Sequence, residues 1–453
     1  MIGAGNPTGA LGRVRGLYYG WWLAALGALI MAVGPVPLFS GMTVWNPVLR
    51  ARMMWSKDQL VWAFALGRIE GGLFGPLEGW LVDNVGPRRM VLFGMLILGA
   101  GFVLFSMIQE LWHLYAVFVM MTLGAAAGTW MPMMSVVNQW FARRRSTAMA
   151  VVMEGFAVGG VIVPLAMAWS IGSTDVLEAE RFGWRATALG IGVLILCLAL
   201  PVSRLVRNKP EDYGLHPDGD PAPAVQRTPS KGPSGEPAPD EVGYTWQQAV
   251  RTQMFWFMAI GHGCSACVLV TLTVHLGLLL DDRGFSLETI GLVVSAYTGV
   301  SAVFVLIGGY LADRFPIRFE VFAFSALQTV AVFVLLAAHT LPMVFLFALL
   351  MGAGFGGRTA TSSSIRGAYF GRRAFASITG LSMVPMNALL LAMPLFAAYV
   401  SYDISFVVVG LVCLFGSALY LFLGDPTYGR LQGAPDAVEN SGGVAKGEDQ
   451  TRR

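Results

Sequence analysis

The sequence predicts an all-α membrane protein with twelve transmembrane helices in two pseudo-symmetric six-helix bundles. Of its 453 residues, 55% are hydrophobic and only 13% are charged, whereas a soluble globular chain carries about 25% charged residues. Long apolar runs fill most of the chain, and a turn motif of the first half recurs in the second half. The polar residues are too few to cover a soluble surface, so lipid must cover much of it.

The apolar runs are long enough to cross a bilayer. A hydrocarbon core of ~30 Å needs about 20 residues of helix, and twelve segments reach this length. In the first half they are residues 19–42, 58–83, 90–109, 112–137, 147–171 and 184–205. In the second half they are residues 253–280, 288–312, 319–339, 342–366, 376–400 and 403–423. The first run is too long for a signal-peptide core, so we interpret it as span one.

These spans divide the chain into five parts. Residues 1–18 form an N-terminal segment, residues 19–205 the first bundle and residues 253–423 the second bundle. Residues 206–252 connect the bundles. They are rich in Pro, Gly and charge, which predicts a mostly disordered linker. Residues 424–453 form a polar tail.

Positive charge predicts the orientation in the cell membrane. Arginines are concentrated in the turns that share a side with both termini, and they include Arg143, Arg144, Arg145 and Arg366. Because cytoplasmic loops carry an excess of Lys and Arg, this side is predicted to be cytoplasmic. The linker and both termini are then cytoplasmic as well.

Two turns, one in each half, share a sequence pattern. The first follows span two and contains Gly79, Asp83, Gly86, Arg88 and Arg89. The second follows span eight and contains Gly309, Asp313, Arg314 and Arg318. The aromatic residues Trp140 and Tyr369, which open Arg-rich turns, are separated by nearly the same length of chain as the two aspartates. Two pairs of matching motifs, each separated by nearly the same number of residues, indicate a duplicated six-helix unit.

With these turns the chain resembles the major facilitator superfamily, whose loop between spans two and three reads G-x3-D-x2-G-x-R-R. The first turn departs from it at Asn84, where a basic residue is usual, and the second has Pro316 in place of a glycine. The resemblance implies the twelve-helix fold of that family. It also implies a cytoplasmic latch between the halves, made by the acid and arginines of the turn. Asp83 lies at a helix C-terminus, which disfavours an anion, so it needs a nearby cation or a facing helix N-terminus.

A finer resemblance is to the monocarboxylate transporter and oxalate/formate antiporter branch, in a bacterial form. It is carried by the segments Tyr19-Gly20-Trp21-Trp22, Trp140-Phe141, Gly183-Trp184-Arg185, Lys209-Pro210-Glu211-Asp212-Tyr213-Gly214-Leu215 and Tyr369-Phe370-Gly371-Arg372-Arg373. Members of this branch carry a basic residue in span eight or span eleven that binds the substrate carboxylate. Neither span holds such a residue at membrane depth here, so the anion site must be sought elsewhere.

Arg358 is the candidate anion anchor. It lies in span ten, about three helical turns before Tyr369, which places it about 16 Å deep at ~1.5 Å per helical residue. The neighbouring glycines leave room beside the guanidinium, whose planar fork suits a carboxylate. The alternative is a structural arginine paired with Glu154 or Glu70. Further candidates for the substrate site are Arg68, Trp130, Tyr297 and Asn387.

Three ionisable residues are candidates for carrying a coupling proton: Glu154, Glu70 and His262. Ionisable groups at membrane depth are unfavourable, and their presence indicates function by default. For Glu154, a permanent pairing with a buried arginine is an equally open interpretation. A lone histidine on a helix is more often a packing residue than a proton relay.

The sequence contains no motif of a hydrolase or ATPase, so the chain is predicted to be a secondary active transporter and not an enzyme. The favoured function is alternating-access transport of a small organic anion, a carboxylate, coupled to H⁺ or to a counter-anion. The alternative is a proton-coupled exporter of apolar or cationic compounds. We expect no cofactor, no metal site and no nucleic-acid partner, and a protein that acts as a monomer in the lipid bilayer.

Overall fold

The structure is a computed structural model that describes residues 18–172, 181–219, 243–285 and 287–424. Almost all of this described part is helical. Eleven of its helical segments are long and apolar enough to cross a membrane, and the helix Lys57–Val85, with 29 residues, is also long enough to do so. Most of the predicted N-terminal segment and the C-terminal tail lies outside the described residues.

The observed helices follow the predicted spans closely. In the first half they are α1 (Tyr19–Val33), α2 (Pro35–Phe39), α3 (Met42–Met53), α4 (Lys57–Val85), α5 (Pro87–Phe105), α6 (Leu111–Ala125), α7 (Met131–Trp140), α8 (Arg145–Ile171) and α9 (Gly183–Leu205). A short helix, α10 (Trp246–Val250), then leads into the second half. There the helices are α11 (Gln253–Asp282), α12 (Leu287–Ala312), α13 (Ile317–Leu336), α14 (Leu341–Phe370), α15 (Phe375–Tyr399) and α16 (Tyr402–Leu419).

Local sequence signals define the ends of α4. Ser56 and Gln59 form a reciprocal capping box at its start, with N–H to side-chain distances of 2.9 and 3.3 Å. The helix ends at Gly86, whose φ of 94° is readily adopted only by glycine. Pro87 then opens α5, at a position where its missing N–H removes no helix hydrogen bond. The first turn motif is therefore a sharp helix stop followed directly by a helix start.

Each half has its own hydrophobic core, and the halves meet along two equivalent pairs of helices. Helix α4 packs along α15, and α12 packs along α8. Since α12 is the repeat of α4 and α15 is the repeat of α8, the two contacts are copies of each other. The duplication predicted from the two turns is therefore present in the helix packing.

The packing of α4 on α15 is close because glycines face it. A Cβ added at Gly75 would lie 3.5 Å from the carbonyl oxygen of Gly380, and one at Gly79 would collide with the carbonyl oxygen of Ala376. Small residues let helix backbones approach in this way. Gly75 and Gly79 of α4 thus lie on the surface where the halves touch.

Two features differ from the sequence-based expectations. Parts of the predicted disordered linker (206–252) are folded: residues 211–213 form a 3₁₀ turn, and Glu211 accepts hydrogen bonds from the Arg372 guanidinium at 2.9 and 3.2 Å. Arg145 and Arg366, counted as turn charges, are buried, with 7% and 2% of their surface exposed. Helix α14 continues to Phe370, so Arg366 lies inside it.

We expect Gly79→Ala to lower the melting temperature of the purified protein, because the added methyl group would collide with α15. Gly71→Ala, in the same helix, is the matched control, since nothing lies within 4 Å of a Cβ there. Replacing a helical glycine otherwise favours folding by roughly 0.5–1 kcal/mol. Equal melting temperatures for the two variants, measured by differential scanning fluorimetry, would contradict the close packing.

Candidate functional site

Asp83 reaches from the first half to the second. Its carboxylate accepts hydrogen bonds from the backbone N–H groups of Ala376 (3.2 Å) and Ser377 (2.7 Å) and from the Ser377 hydroxyl (2.6 Å). These donors lie in the first turn of α15. The anion that is disfavoured at the end of α4 is therefore stabilised by the N-terminus of the facing helix.

Asp313 makes the equivalent contact in the opposite direction. It accepts hydrogen bonds from the N–H groups of Ser146 and Thr147, both at 2.8 Å, and from the Thr147 hydroxyl at 2.6 Å. Burial raises the pKa of Asp313, and the hydrogen bonds from Thr147 and Ser146 partly offset this. The same offset in the chain relates Asp83 to Asp313 and the donors Ser146 and Thr147 to Ala376 and Ser377. We call the end of the bundle that holds both aspartates the latch end.

The arginines of the two turns lie in different environments from the two aspartates. The side chains of Arg88 and Arg89 are exposed. The Arg314 guanidinium lies 4.3 Å from the centre of the Tyr310 ring, and Arg318 donates to the Leu423 carbonyl at 2.7 Å, both within the second half. In this conformation it is the acids of the predicted latch that hold the halves together.

Glu154 lies on the face of α8 that contacts the second half. Thr147 and Ala150 define that face, because Thr147 binds Asp313 and Ala150 packs with Val305. Glu154 follows Ala150 by one helical turn and so shares the face. Its side chain is half-buried, and Oε2 has no hydrogen-bond partner in the described part of the chain. A carboxyl group with unused acceptor capacity therefore lies between the halves.

Trp130 also lies where the halves meet. It is half-buried and packs in a cluster that contains Met131 of the first half and Ala376 and Met383 of α15. The turn Ala126–Trp130 is a π-helix, which the sequence analysis did not predict. Pro132 follows it and cannot donate to the carbonyl at position 128, which is a cause of such a widened turn. π-turns of this kind often occur at functional sites.

Arg358, the candidate anion anchor, lies inside the second half with 2% of its surface exposed. Its Nε donates to Gln328 of α13 at 3.1 Å, and Nη1 donates to the Ser362 hydroxyl at 3.1 Å. The expected room beside the neighbouring glycines is not present. A Cβ at Gly357 would collide with the Phe324 ring, so the glycines allow α13 to pack closely against α14.

A buried carboxyl near Arg358 was not among the sequence-based candidates. Glu320, in the first turn of α13, is 7% exposed and accepts a hydrogen bond from the Thr361 hydroxyl at 3.0 Å. Its second oxygen has no hydrogen-bond partner among the described residues. An acid at a helix start is ordinary because it complements the helix dipole, so the sequence gives no signal of its burial.

His262 belongs to the same buried region. Arg366 donates from Nη2 to His262 Nδ1 at 2.8 Å and from Nη1 to the Ser362 carbonyl at 2.6 Å. A ring nitrogen that accepts from a guanidinium carries no proton, so His262 is neutral in this arrangement. We call Arg358, Arg366, Glu320, Gln328, His262 and Ser362 the inner polar cluster. All of these residues lie within the second half.

The remaining candidates are placed as follows. Tyr297 is half-buried against the core of the second half, and Asn387 is half-buried and donates to the Met383 carbonyl of its own helix at 3.0 Å. Arg68 and Glu70 lie within α4, but their side chains are outside the described part of the structure. The structure thus brings Glu154 and Trp130 to the contact between the halves and places Arg358 and His262 in the inner polar cluster.

Comparison with known proteins identifies related sequences. The family model described as Major Facilitator Superfamily matches residues 38–290 and again residues 258–441. An MFS-type transporter of Gibberella moniliformis is 25% identical over 68% of this chain and 67% of its own length. Monocarboxylate transporter 2 of Mesocricetus auratus is 23% identical over 91% and 85%. The oxalate:formate antiporter of Oxalobacter formigenes is 27% identical over 44% of each chain. With this antiporter and several other relatives, the match spans less than two thirds of the relative's length.

Solved structures share the fold. The transporter FucP, in its outward conformation, superposes with a TM-score of 0.66 over 91% of this chain and 99% of FucP, at 12% identity. The human organic anion transporter MFSD10 superposes with a TM-score of 0.63 over 89% and 99%, at 15% identity. At these identities the likeness shows the fold alone.

We expect Asp83→Asn to accelerate hydrogen exchange at Ala376 and Ser377 by about ten- to a hundredfold, because a charge-assisted hydrogen bond contributes about 1.5–3 kcal/mol. Asp313→Asn should do the same at Ser146 and Thr147. These amides can be followed by hydrogen-exchange mass spectrometry.

The control for both latch variants is Asp403→Asn, an exposed acid in the first turn of α16. It should leave the exchange of the four latch amides unchanged. Unaltered exchange in Asp83→Asn and Asp313→Asn would show that neither carboxylate holds the latch end closed.

Proposed function

Because the chain belongs to the Major Facilitator Superfamily, we propose that it carries small organic anions across the membrane together with protons. The family and the relatives make it a membrane-spanning transporter of small molecules and not an enzyme. The proposal adds the substrate class, the coupling ion and the residues that act on them. It also retains the predicted orientation, in which the latch end faces the cytoplasm.

One observation carries the proposal: on the face of α8 that contacts the second half, Glu154 has a carboxyl oxygen without a hydrogen-bond partner among the described residues. An ionised Glu154 would repel an anion bound near it between the halves, and this repulsion is strong where the effective dielectric constant is low. A proton on Glu154 removes the repulsion. The anion therefore enters with the proton, and the two leave on the other side together.

The substrate class is supported by relatives and by charge. The relatives of this chain include proteins named as monocarboxylate transporters and an oxalate:formate antiporter. The inner polar cluster contains two buried arginines, Arg358 and Arg366, and one buried carboxyl group, Glu320. Such a balance gives the second half a positive interior, which favours an anion bound beside it between the halves.

The conformational change opens and closes the latch end. Both aspartate contacts join the two halves at the same end, so opening that end must break both of them. Because the contacts are copies related by the internal repeat, the halves can rock about one axis. Alternating access then exposes the region around Glu154 and Trp130 first to one side and then to the other.

The second candidate function is proton-coupled export of apolar or cationic compounds. Relatives include proteins named as fungal efflux proteins. The cluster around Trp130 and Met383 is apolar, and an ionised Glu154 would attract a cation. The two functions differ in which protonation state of Glu154 accepts the substrate.

Glu154→Gln separates the two functions in proteoliposomes. For an anion–proton symporter, glutamine mimics the protonated acid, so anion counterflow should persist while uptake driven by a proton gradient is lost. For a cation exporter, counterflow of the cation should be lost as well. Lactate, formate and oxalate are suitable anions. Proton-driven anion uptake by Glu154→Gln at the wild-type rate would contradict the coupling role.

Arg358→Gln should raise the KM for anion uptake about tenfold, corresponding to ~1.4 kcal/mol, because the second half loses a positive charge. Arg358→Lys keeps the charge and should stay closer to wild type. Wild-type KM values for both variants would exclude Arg358 as a source of anion affinity. Should Arg358→Gln unfold, the double variant with Glu320→Gln removes both buried charges. Its KM is then compared with that of Glu320→Gln alone, which differs from it only in the charge of Arg358.

A further inference from the structure

A cavity of about 620 Å³ opens at the latch end between the two halves. The first half contributes Trp21, Arg143, Arg144 and Thr147; the second half contributes Tyr310, Asp313 and Arg314; and the linker contributes Asp218. Glu154 and Trp130, the residues that the proposed transport cycle uses, are not among those that line this cavity. Nothing in that cycle explains three arginines around one cavity.

The two carboxylates in the cavity are engaged by the backbone. Asp313 binds the N–H groups of Ser146 and Thr147, as described above. Asp218 accepts hydrogen bonds from the N–H groups of Ala142 (2.9 Å) and Arg143 (2.8 Å), and 5% of its side chain is exposed. Asp313 therefore stabilises the start of α8, and Asp218 stabilises the turn that precedes it.

The three arginines that line the cavity are exposed. The Arg143 side chain is 70% exposed, and its Nε lies 4.0 Å from the Asp218 carboxylate, at the limit of an ion pair. Arg144 is exposed, and Arg314 stacks on the Tyr310 ring. Three guanidinium groups and two engaged carboxylates leave the cavity positive, and the N-terminus of α8 adds to this potential.

We propose that this cavity binds a phosphate group, which Arg143 and Arg144 hold from the first half and Arg314 holds from the second. The guanidinium fork matches the geometry of phosphate oxygens. Trp21 and Tyr310 flank the arginines near the ends of membrane-spanning helices, where aromatic residues mark the level of lipid headgroups. An anionic lipid headgroup and a soluble phosphate ester both supply this chemistry.

The occupant would act on the conformational equilibrium. It joins charges of both halves only while the latch end is closed, so it binds that conformation more tightly than the open one. A ligand shifts an equilibrium by its difference in affinity for the two states. The bound phosphate group therefore stabilises the latch-end-closed conformation and slows transport when its concentration is high.

The experiment measures thermal stability of the purified protein with two probes. One arm titrates inorganic phosphate in neutral detergent, with sodium chloride keeping the ionic strength constant. The other arm compares nanodiscs of phosphatidylglycerol with nanodiscs of phosphatidylcholine. Arg144→Ala and Arg314→Ala are the test variants. Arg204→Ala, an exposed arginine in the last turn of α9 at the same end, is the matched control.

We expect a saturable rise in melting temperature for the wild type and for Arg204→Ala, and an apparent affinity at least about tenfold weaker in both test variants. A response to phosphatidylglycerol alone identifies a lipid headgroup, and a response to phosphate alone identifies a soluble ester. No response of the wild type to either probe would overturn the proposal, as would wild-type responses in both test variants. If Arg314→Ala does not fold, Arg314→Lys keeps the charge without the fork and should bind more weakly than wild type.

Discussion

The structure depends on a carboxylate of one half that sits on the helix N-terminus of the other half. Asp83 and Asp313 each lie at the end of a helix, where the dipole of their own helix disfavours a negative charge. Each is stabilised by two backbone N–H groups and one hydroxyl group across the interface. The stabilisation exists only while the halves are together, and water replaces it when they separate. An interaction of this kind stabilises the conformation in which the latch end is closed, yet it allows that end to open.

Glycine makes that interaction geometrically possible. Gly79 and Gly309 each bring a helix backbone against the first turn of the facing helix, and a side chain at either position would push the helices apart. The aspartates one helical turn later then reach the N–H groups of that turn. Close approach and charge compensation are thus two aspects of one contact, which explains why the turn motif contains both residues at this spacing.

Much of this architecture could be predicted from the sequence, because membrane helices are defined by length and apolarity. The twelve spans follow from these two properties, the duplication follows from the repeated turn motifs, and the need of Asp83 for a facing partner follows from the dipole of its own helix. The depth of Arg358 follows from its distance to the helix end, but its direction does not. Which neighbour an arginine faces depends on how α13 packs against α14, and helical periodicity does not contain that information. The folded part of the linker was missed for the same reason, since its partners, such as Arg372, lie far away in the chain.

The repeat has a consequence for the history of the protein. Since each half supplies one acid and one helix start, two copies of a single half could join by the same contacts around a twofold axis, as an isologous dimer. The latch would then be older than the fusion of the halves. In such a dimer the two halves would contribute identical walls to the cavity. Neither wall could then bind a substrate differently from the other. After fusion, the halves were free to diverge: the first half holds Thr129, whereas the second half has Arg358 at the equivalent position. On this view, substrate selectivity depends on the positions at which the two halves differ.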